Sequence, residues 1–458
     1  MKILFCHQNF PGQYKHIAPA IARRPGVEAV CIGEQVNTNR IDPAGLPPGL
    51  RLAPYETPRG PSPDTHHYIR GFEGHVRRGQ AVARKAVELR QQGFVPDVIA
   101  AHPGWGEALF LKDVFPRAPL LAFAEFFYRA RGSDVGFDPE YPVTFDDHCR
   151  VRVKNATLIL SLEAADWIVC PTRWQARQLP AGFAERLSIV HDGIDTERVH
   201  PDPSARLTLA DSNLELKAGD EVITFVNRNL EPYRGFHVFL RALPEIQRRR
   251  PRAHVLILGG DDVSYGKALP EGETYRQRLL AELGDRLDLS RLHFLGRIPY
   301  GQFLKVLQVS AVHVYLTYPF VLSWSMLEAM AAGCLVIGSA TPPVAEVLED
   351  GKTGLLVDFF DRDGIAERID GVLDHPDRMQ ALRTRARQAV IDGYDLRSVC
   401  LPRHLALIED LAAGRRPEPD RVGAGENESA PGKAGSRDTA AAMRAALVAK
   451  RRRPNRQS

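Results

Sequence analysis

Short apolar runs rich in β-formers alternate with stretches of helical periodicity through most of the chain. In its first part, runs at 2–8, 27–33, 97–102, 120–123, 167–170 and 187–191 predict strands, with helices predicted between some of them at 13–24 and 80–92. After a polar, proline-containing stretch at 195–210 the pattern restarts, and strands are predicted at 222–227, 254–259, 292–295, 312–317, 336–338 and 354–357. Strands and helices in alternation mean parallel sheets covered on both faces. Two such runs of comparable length predict an α/β chain of two Rossmann-like domains, with parallel sheets facing across a cleft. The expected partition is one domain at 1–205, a second at 206–395, a helix at 396–413 packing back on the core, and a tail at 414–458. Ligands of open parallel sheets bind beyond the carboxyl ends of the strands, so candidate chemistry is sought there.

Composition narrows the class. A chain of 458 residues that is 44% hydrophobic and 25% charged can bury a large core. Its apolar stretch at 118–127 is interrupted by Glu125 and falls short of the roughly 20 residues that cross a bilayer. The apolar block at 3–6 is too short for a secretory signal, and a cytoplasmic location is expected. The six cysteines are scattered without metal-site spacing, so neither a disulfide scaffold nor a metal site is expected. A net charge of +4 does not argue for nucleic acid. From 414 the chain is rich in Gly, Pro, Glu, Arg and Ala and ends in a basic cluster at Lys450, Arg451, Arg452 and Arg453, which predicts disorder. A short basic helix at 439–453 would offer weak peripheral contact with an anionic membrane face, although Met443, Leu447 and Val448 bury little area.

The most informative segment is VNRNLEPYRGFHVFLRAL at 226–243. Arg228 stands at a strand end, a turn on Pro232 follows, and Arg234 with Gly235 leads into an amphipathic helix. Two arginines near a helix amino terminus suit a diphosphate, because free N–H groups and the helix dipole already favour an anion there. Both are expected at a site, not in a core; solvated surface arginines are the rival reading. In PFVLSWSMLEAMAAGCLVIGS at 319–339, Ser323 or Ser325 caps a helix on which Glu328 is the one charged residue. That carboxylate either closes a structural salt bridge or accepts hydrogen bonds from a ligand's hydroxyls. Gly12 follows the first strand, where a missing side chain lets backbone N–H groups approach a phosphate. His102 ends the strand VIAAH and faces the cleft, or else caps the core. Glu125 interrupts a buried strand end and either orients a ligand or pairs with Arg129.

The strand, loop and helix carrying Gly12, VHDGIDTERVHP at 190–201, the strand before Arg228, HFLGRIPYGQF at 293–303, and LEAMAAGCLVIGS followed by EVLEDGKTGLLV together resemble retaining glycosyltransferases of family four, which have the GT-B fold. The resemblance runs from Met1 to about Leu411. It implies transfer from a nucleotide diphosphate sugar, UDP- or GDP-linked, to a hydroxyl of a glycan, a lipid-linked or a small-molecule acceptor. It also implies an acceptor-side amino-terminal domain, a donor-side carboxyl-terminal domain, and no metal or further cofactor. By resemblance Arg228 and Arg234 hold the diphosphate, Arg234 replacing the family's usual lysine, and Glu328 binds the donor ribose. His102 lies beside the donor sugar, and Arg297 and Ile298 pass the nucleotide base largely through backbone. The segment Leu322, Ser323, Trp324 and Ser325 supplies further donor contacts. Where the family has a first glutamate, eight positions before Glu328, this chain has Phe320. Retention would come from front-side attack, the departing phosphate taking the acceptor's proton. A nucleotide-sugar epimerase shares the fold, but LEAMAAG and DGKTGLLV point away from it; Phe320 favours a noncatalytic nucleotide-sugar-binding protein as the other rival.

Overall fold

The computed structural model describes residues 1–209 and 214–422. The predicted helix at 439–453 lies outside the described residues. The first sheet comprises β1 (Lys2–Cys6), β2 (Glu28–Glu34), β3 (Leu50–Tyr55), β4 (Val98–Ala101), β5 (Leu120–Phe123), β6 (Trp167–Cys170) and β7 (Leu187–Ile189). All are parallel, in the order β3-β2-β1-β4-β5-β6-β7. A small antiparallel ladder, β8 (Arg206–Leu209) with β9 (Leu214–Lys217), precedes the second sheet. That sheet is built from β10 (Val222–Asn229), β11 (His254–Gly260), β12 (Leu292–Gly296), β13 (Val312–Tyr315), β14 (Leu335–Ser339) and β15 (Leu355–Val357). It is also parallel, in the order β12-β11-β10-β13-β14-β15.

The two predicted Rossmann-like sheets are therefore present, each with its order reversing beside its first strand. Ile3, Leu4, Phe5 and Cys6 of β1 are all fully buried, as are Val222, Ile223, Thr224 and Phe225 of β10, which is why these strands read as unbroken runs and not as alternations. In register, Phe5 lies between Cys31 and Ala100, and Thr224 between Leu256 and His313. The structure adds three strands. β3 is an edge strand with exposed Arg51 and Pro54, and β8 and β9 alternate buried and exposed positions, so none shows the apolar run of a central strand.

Residues 1–420 form one compact body. The helix Leu401–Ala412 returns to the first sheet, burying Leu407, Ile408 and Leu411 among Ile3, Phe5 and Val98. The chain stays attached beyond 414, contrary to the predicted start of disorder. The Asp420 amide donates to Leu187 O at 2.9 Å, Ile189 N donates to Asp420 Oδ2 at 2.6 Å, and Arg403 pairs with the same carboxylate at 2.9 Å. Backbone pairing along the β7 edge requires no apolar side chains, so composition does not reveal it.

The irregular segment at 124–143, leaving β5, crosses to the second half. Ser133 Oγ donates to Pro319 O at 3.1 Å and Tyr233 OH to Asp134 at 2.8 Å. Tyr318 OH donates to Asp138 Oδ2 at 2.6 Å, and His237 Nε2 lies 2.9 Å from the same oxygen. Phe126 is buried in a cluster with Phe225, Phe236, Tyr318 and Phe320, so the halves share core as well as polar contacts.

Candidate functional site

Sheet order places the candidate groups together. His7 and His102 follow β1 and β4, the strands flanking the first sheet's reversal, while Arg228 ends β10 beside β13 at the second. His7 accepts from Asn9 N at Nδ1 (2.9 Å), which leaves Nε2 to donate to Gln13 Oε1 at 2.6 Å. Gly12, at φ +45°, is required here by packing: a Cβ would stand 2.4 Å from the His7 ring. The His102 ring stacks on Trp105 at 4.5 Å and lies 5.0 Å from His7.

His102 accepts from Gly104 N at Nδ1 (3.1 Å), so the neutral ring carries its proton on Nε2. Burial, reinforced by His7, holds His102 well below the ordinary histidine range and keeps it neutral. Its Nε2 is buried without a hydrogen-bond partner and lies 3.8 Å from Glu125 Oε2. Glu125 is 37% exposed at its side chain. Burial raises its carboxyl, opposed by Arg234 and Arg228 of the other half. Asp192, in the segment joining the halves, accepts from Trp324 Nε1 at 2.8 Å through Oδ2, and its Oδ1 is buried and unpartnered. Burial and Glu125 push Asp192 up to about 8 against that hydrogen bond.

The two arginines differ sharply. Arg228 is exposed and makes no hydrogen bond or ion pair among the described residues. Arg234, expected outside the core, is 6% exposed. Its Nη1 donates to Thr317 Oγ1 (2.8 Å), Val321 O (2.8 Å) and Tyr315 OH (3.2 Å). Burial opposes its charge, yet Tyr315, Tyr265 and Glu231 hold its pKa above the ordinary value. It sits in the turn Pro232–Arg234, and Gly235 (φ +69°) turns the chain into the helix Phe236–Arg249 where a Cβ would meet Leu316 at 2.3 Å.

Ser323 caps the helix Trp324–Ala331, and its own amide donates to Tyr315 OH at 2.8 Å, tying the cap to the Arg234 cluster. Ser325 and Leu322 are buried, Leu322 and Ile298 packing in the second half's core, so those two offer a ligand chiefly backbone. Trp324 is exposed and engaged with Asp192. Glu328 accepts from Tyr300 OH at 2.7 Å. Burial raises its carboxyl, opposed by Tyr300 and by Lys15 from the first half. Arg297 is held by Asn229 Oδ1 (2.8 Å) and Asp262 Oδ2 (2.7 Å). Phe320 is 2% exposed, packed by Phe126 (4.7 Å), Tyr265 (4.9 Å) and Tyr233 (5.4 Å).

Sequence reasoning did not single out His7, Glu231, Tyr265 or Tyr300 as site residues. Tyr300 stands within the HFLGRIPYGQF motif, but its reach to Glu328 across 28 positions depends on how the second half folds. Among the described residues there is no group of three or more His, Cys, Asp or Glu placed to hold a metal ion, and no helix long and apolar enough to cross a membrane.

Comparison with known proteins agrees with this architecture. Residues 25–199 match the family described as "Glycosyl transferase family 4 group", and residues 210–389 match "Glycosyl transferases group 1". The chain is 27% identical over 271 residues to a GDP-mannose-dependent alpha-(1-6)-phosphatidylinositol monomannoside mannosyltransferase of Mycolicibacterium smegmatis, covering 55% of this chain and 63% of that protein. It is 26% identical over 298 residues to D-inositol 3-phosphate glycosyltransferase of Mycobacterium ulcerans, covering 60% and 61%. These matches span about six tenths of each relative's length. In fold it resembles sucrose-phosphate synthase from Thermosynechococcus elongatus, with a TM-score of 0.69 at 18% identity, covering 90% of this chain and 100% of that one. It also resembles Anabaena HepE in complex with UDP-glucose, with a TM-score of 0.62 at 16% identity over 90% and 100%. The chain belongs to the family-four glycosyltransferases, with their two-sheet GT-B architecture.

Proposed function

We propose that this chain is a retaining glycosyltransferase that moves a sugar from a nucleotide diphosphate sugar to an acceptor hydroxyl. The observation that carries the reading is Glu125, whose carboxylate lies 3.8 Å from the unpartnered His102 Nε2 and feels the charges of Arg228 and pinned Arg234 from the other half, with Arg234 tied through Tyr315 to the cap of the Glu328 helix. Arg228 is free to fold onto a diphosphate, while Arg234 offers a preset guanidinium. Glu328 keeps Oε2 for a ribose hydroxyl while Tyr300 occupies Oε1. One relative named above is GDP-mannose-dependent and one structure of like fold is in complex with UDP-glucose, and either nucleotide is consistent with a base contact made through backbone.

When the bond between the anomeric carbon and the phosphate oxygen breaks, its electron pair stays on the leaving diphosphate. Arg228 and Arg234 stabilise that charge in a preorganised site, an effect of about 3 kcal/mol for one well-aimed donor. His102 Nε2–H donates to a sugar oxygen and holds the ring over the cleft. The acceptor hydroxyl attacks from the face the phosphate leaves, its oxygen bonding to the anomeric carbon and its proton passing to the departing phosphate oxygen. The acceptor, a glycan, a lipid-linked or a small molecule, enters from the first half, where Glu125 orients its hydroxyl.

The test incubates the full chain with UDP- and GDP-sugars and an acceptor panel, with products read by mass spectrometry and anomeric configuration by NMR. A transferred sugar of unchanged anomeric configuration is expected. Isomerised nucleotide sugar would identify an epimerase, and binding without turnover a noncatalytic protein.

A further inference from the structure

Glu231 is 1% exposed, and its carboxylate accepts three successive backbone N–H groups, from Ser264 (3.0 Å), Tyr265 (3.1 Å) and Gly266 (2.8 Å). Asn229 adds a bond from Nδ2 to Ser264 Oγ at 2.7 Å, and Tyr275 OH donates to Lys267 O at 2.8 Å. The loop following β11 is thus fastened to the same turn that carries Arg234. A buried carboxylate satisfied by three amides is a strong, geometrically selective anchor.

The residue so fixed is Tyr265. It is 38% exposed, its ring lies 4.9 Å from Phe320, and the Arg234 guanidinium stands 5.4 Å above it. Phe320 itself is enclosed by Phe126, Tyr128, Tyr233 and Tyr265 and presents almost no surface. Adding a carboxylate at 320 would therefore place it among rings, while the group that meets solvent beside Arg234 is a phenol.

We propose that Tyr265, positioned by Glu231, is the donor-sugar contact of this chain, taking an uncharged sugar whose C–H face lies against the ring. This rests on the donor reading above. With the exposed Tyr265 ring 5.4 Å from the Arg234 guanidinium, a sugar joined to a diphosphate held there comes within reach of it, and the contact is dispersion with one hydroxyl bond in place of a charge-assisted pair.

Calorimetry on the full chain with UDP, UDP-glucose, GDP and GDP-mannose tests it. For the nucleotide that binds, Tyr265→Ala is expected to weaken the sugar conjugate at least fivefold while changing the bare nucleoside diphosphate less than twofold. Glu231→Gln is expected to shift that ratio in the same direction, and Tyr265→Phe to keep most of the conjugate's affinity. An equal effect on conjugate and nucleoside diphosphate, or none on either, overturns the assignment. Failure of all four ligands to bind the unaltered chain would bring down the donor reading itself, and this inference with it.

Discussion

Arg228 and Arg234 are six residues apart and differ in environment, so their removal should have different consequences. Arg228→Ala takes away an exposed, unpartnered side chain, and is expected to cut turnover roughly a hundredfold with an unchanged melting temperature. Arg234→Ala also strands Thr317 Oγ1, Val321 O and Tyr315 OH, and should cost stability of about 2 kcal/mol in addition to activity. Equal melting temperatures for the two variants would contradict the buried placement. Tyr300→Phe removes the hydrogen bond that favours the ionised form of Glu328. Nucleoside diphosphate affinity is expected to fall by about 1 kcal/mol, and by more at pH 5.5 than at pH 8, because a protonated Glu328 accepts from ribose more weakly than the carboxylate does. Calorimetry at both pH values reads this directly. Asp192 gives a pH dependence of opposite origin. Its carboxyl is raised to about 8 when folded and sits near 4 when unfolded, so the folded chain binds more protons between these values and loses stability as pH rises through them. Asp192→Asn keeps an acceptor for Trp324 without the charge, so its gain in melting temperature should grow from pH 5 to pH 8 and then level off. A gain independent of pH would assign the titration elsewhere.

At the scale of elements, legibility follows burial on both faces. The cores of central strands such as β1, β10 and β13 are buried on both faces and mostly apolar, and were readable, and so was the helix holding Glu328, through its serine cap. The edge strand β3 and the ladder β8–β9 alternate or carry proline, and were not. The segment at 124–143 has no periodicity at all, yet it joins the halves, because its contacts are long-range pairs of single polar groups and single rings such as Phe126. Asp138 is the clearest. Burial alone would raise its carboxyl, but hydrogen bonds from His237 and Tyr318 outweigh that and hold it below its ordinary range. The stabilisation is present above the unfolded value near 4 and is lost as pH falls through the lower folded value. Asp138→Ala leaves a buried phenol and imidazole unpaired, an expected loss of about 3 kcal/mol. Urea unfolding should then separate into two transitions as the halves uncouple, whereas a single unshifted transition would show that the aromatic contacts of Phe126 alone hold them. Phe320 shows the opposite limit: its departure from the family is visible in sequence, but only the packing shows that its ring is enclosed and that Tyr265 faces outward.

The body formed by residues 1–420 is closed by its own carboxyl-terminal stretch. The chain leaves the first sheet, builds the second, and returns through Leu401–Ala412 to lay Leu407, Ile408 and Leu411 against β1 and β4. It then runs on to the β7 edge, where Asp420 takes an amide from Ile189, gives one to Leu187 and meets Arg403, while Arg415 returns to Asp410 and Arg416 reaches Glu185 O. These bonds cover an edge strand that would otherwise present unpaired backbone groups. Two truncations separate this role from that of the helix. A chain ending at 422 keeps all of these contacts; a chain ending at 413 keeps the helix and loses every one of them. The shorter chain is expected to melt several degrees below the longer one, reflecting about 2 kcal/mol from a few partly exposed hydrogen bonds, and to aggregate more readily through the uncovered β7 edge. Its transfer activity per folded molecule should match that of the longer chain, since the site lies at the other strands' carboxyl ends. Identical melting curves for the two truncations would mean that the segment at 414–420 lies on the β7 edge without supporting it.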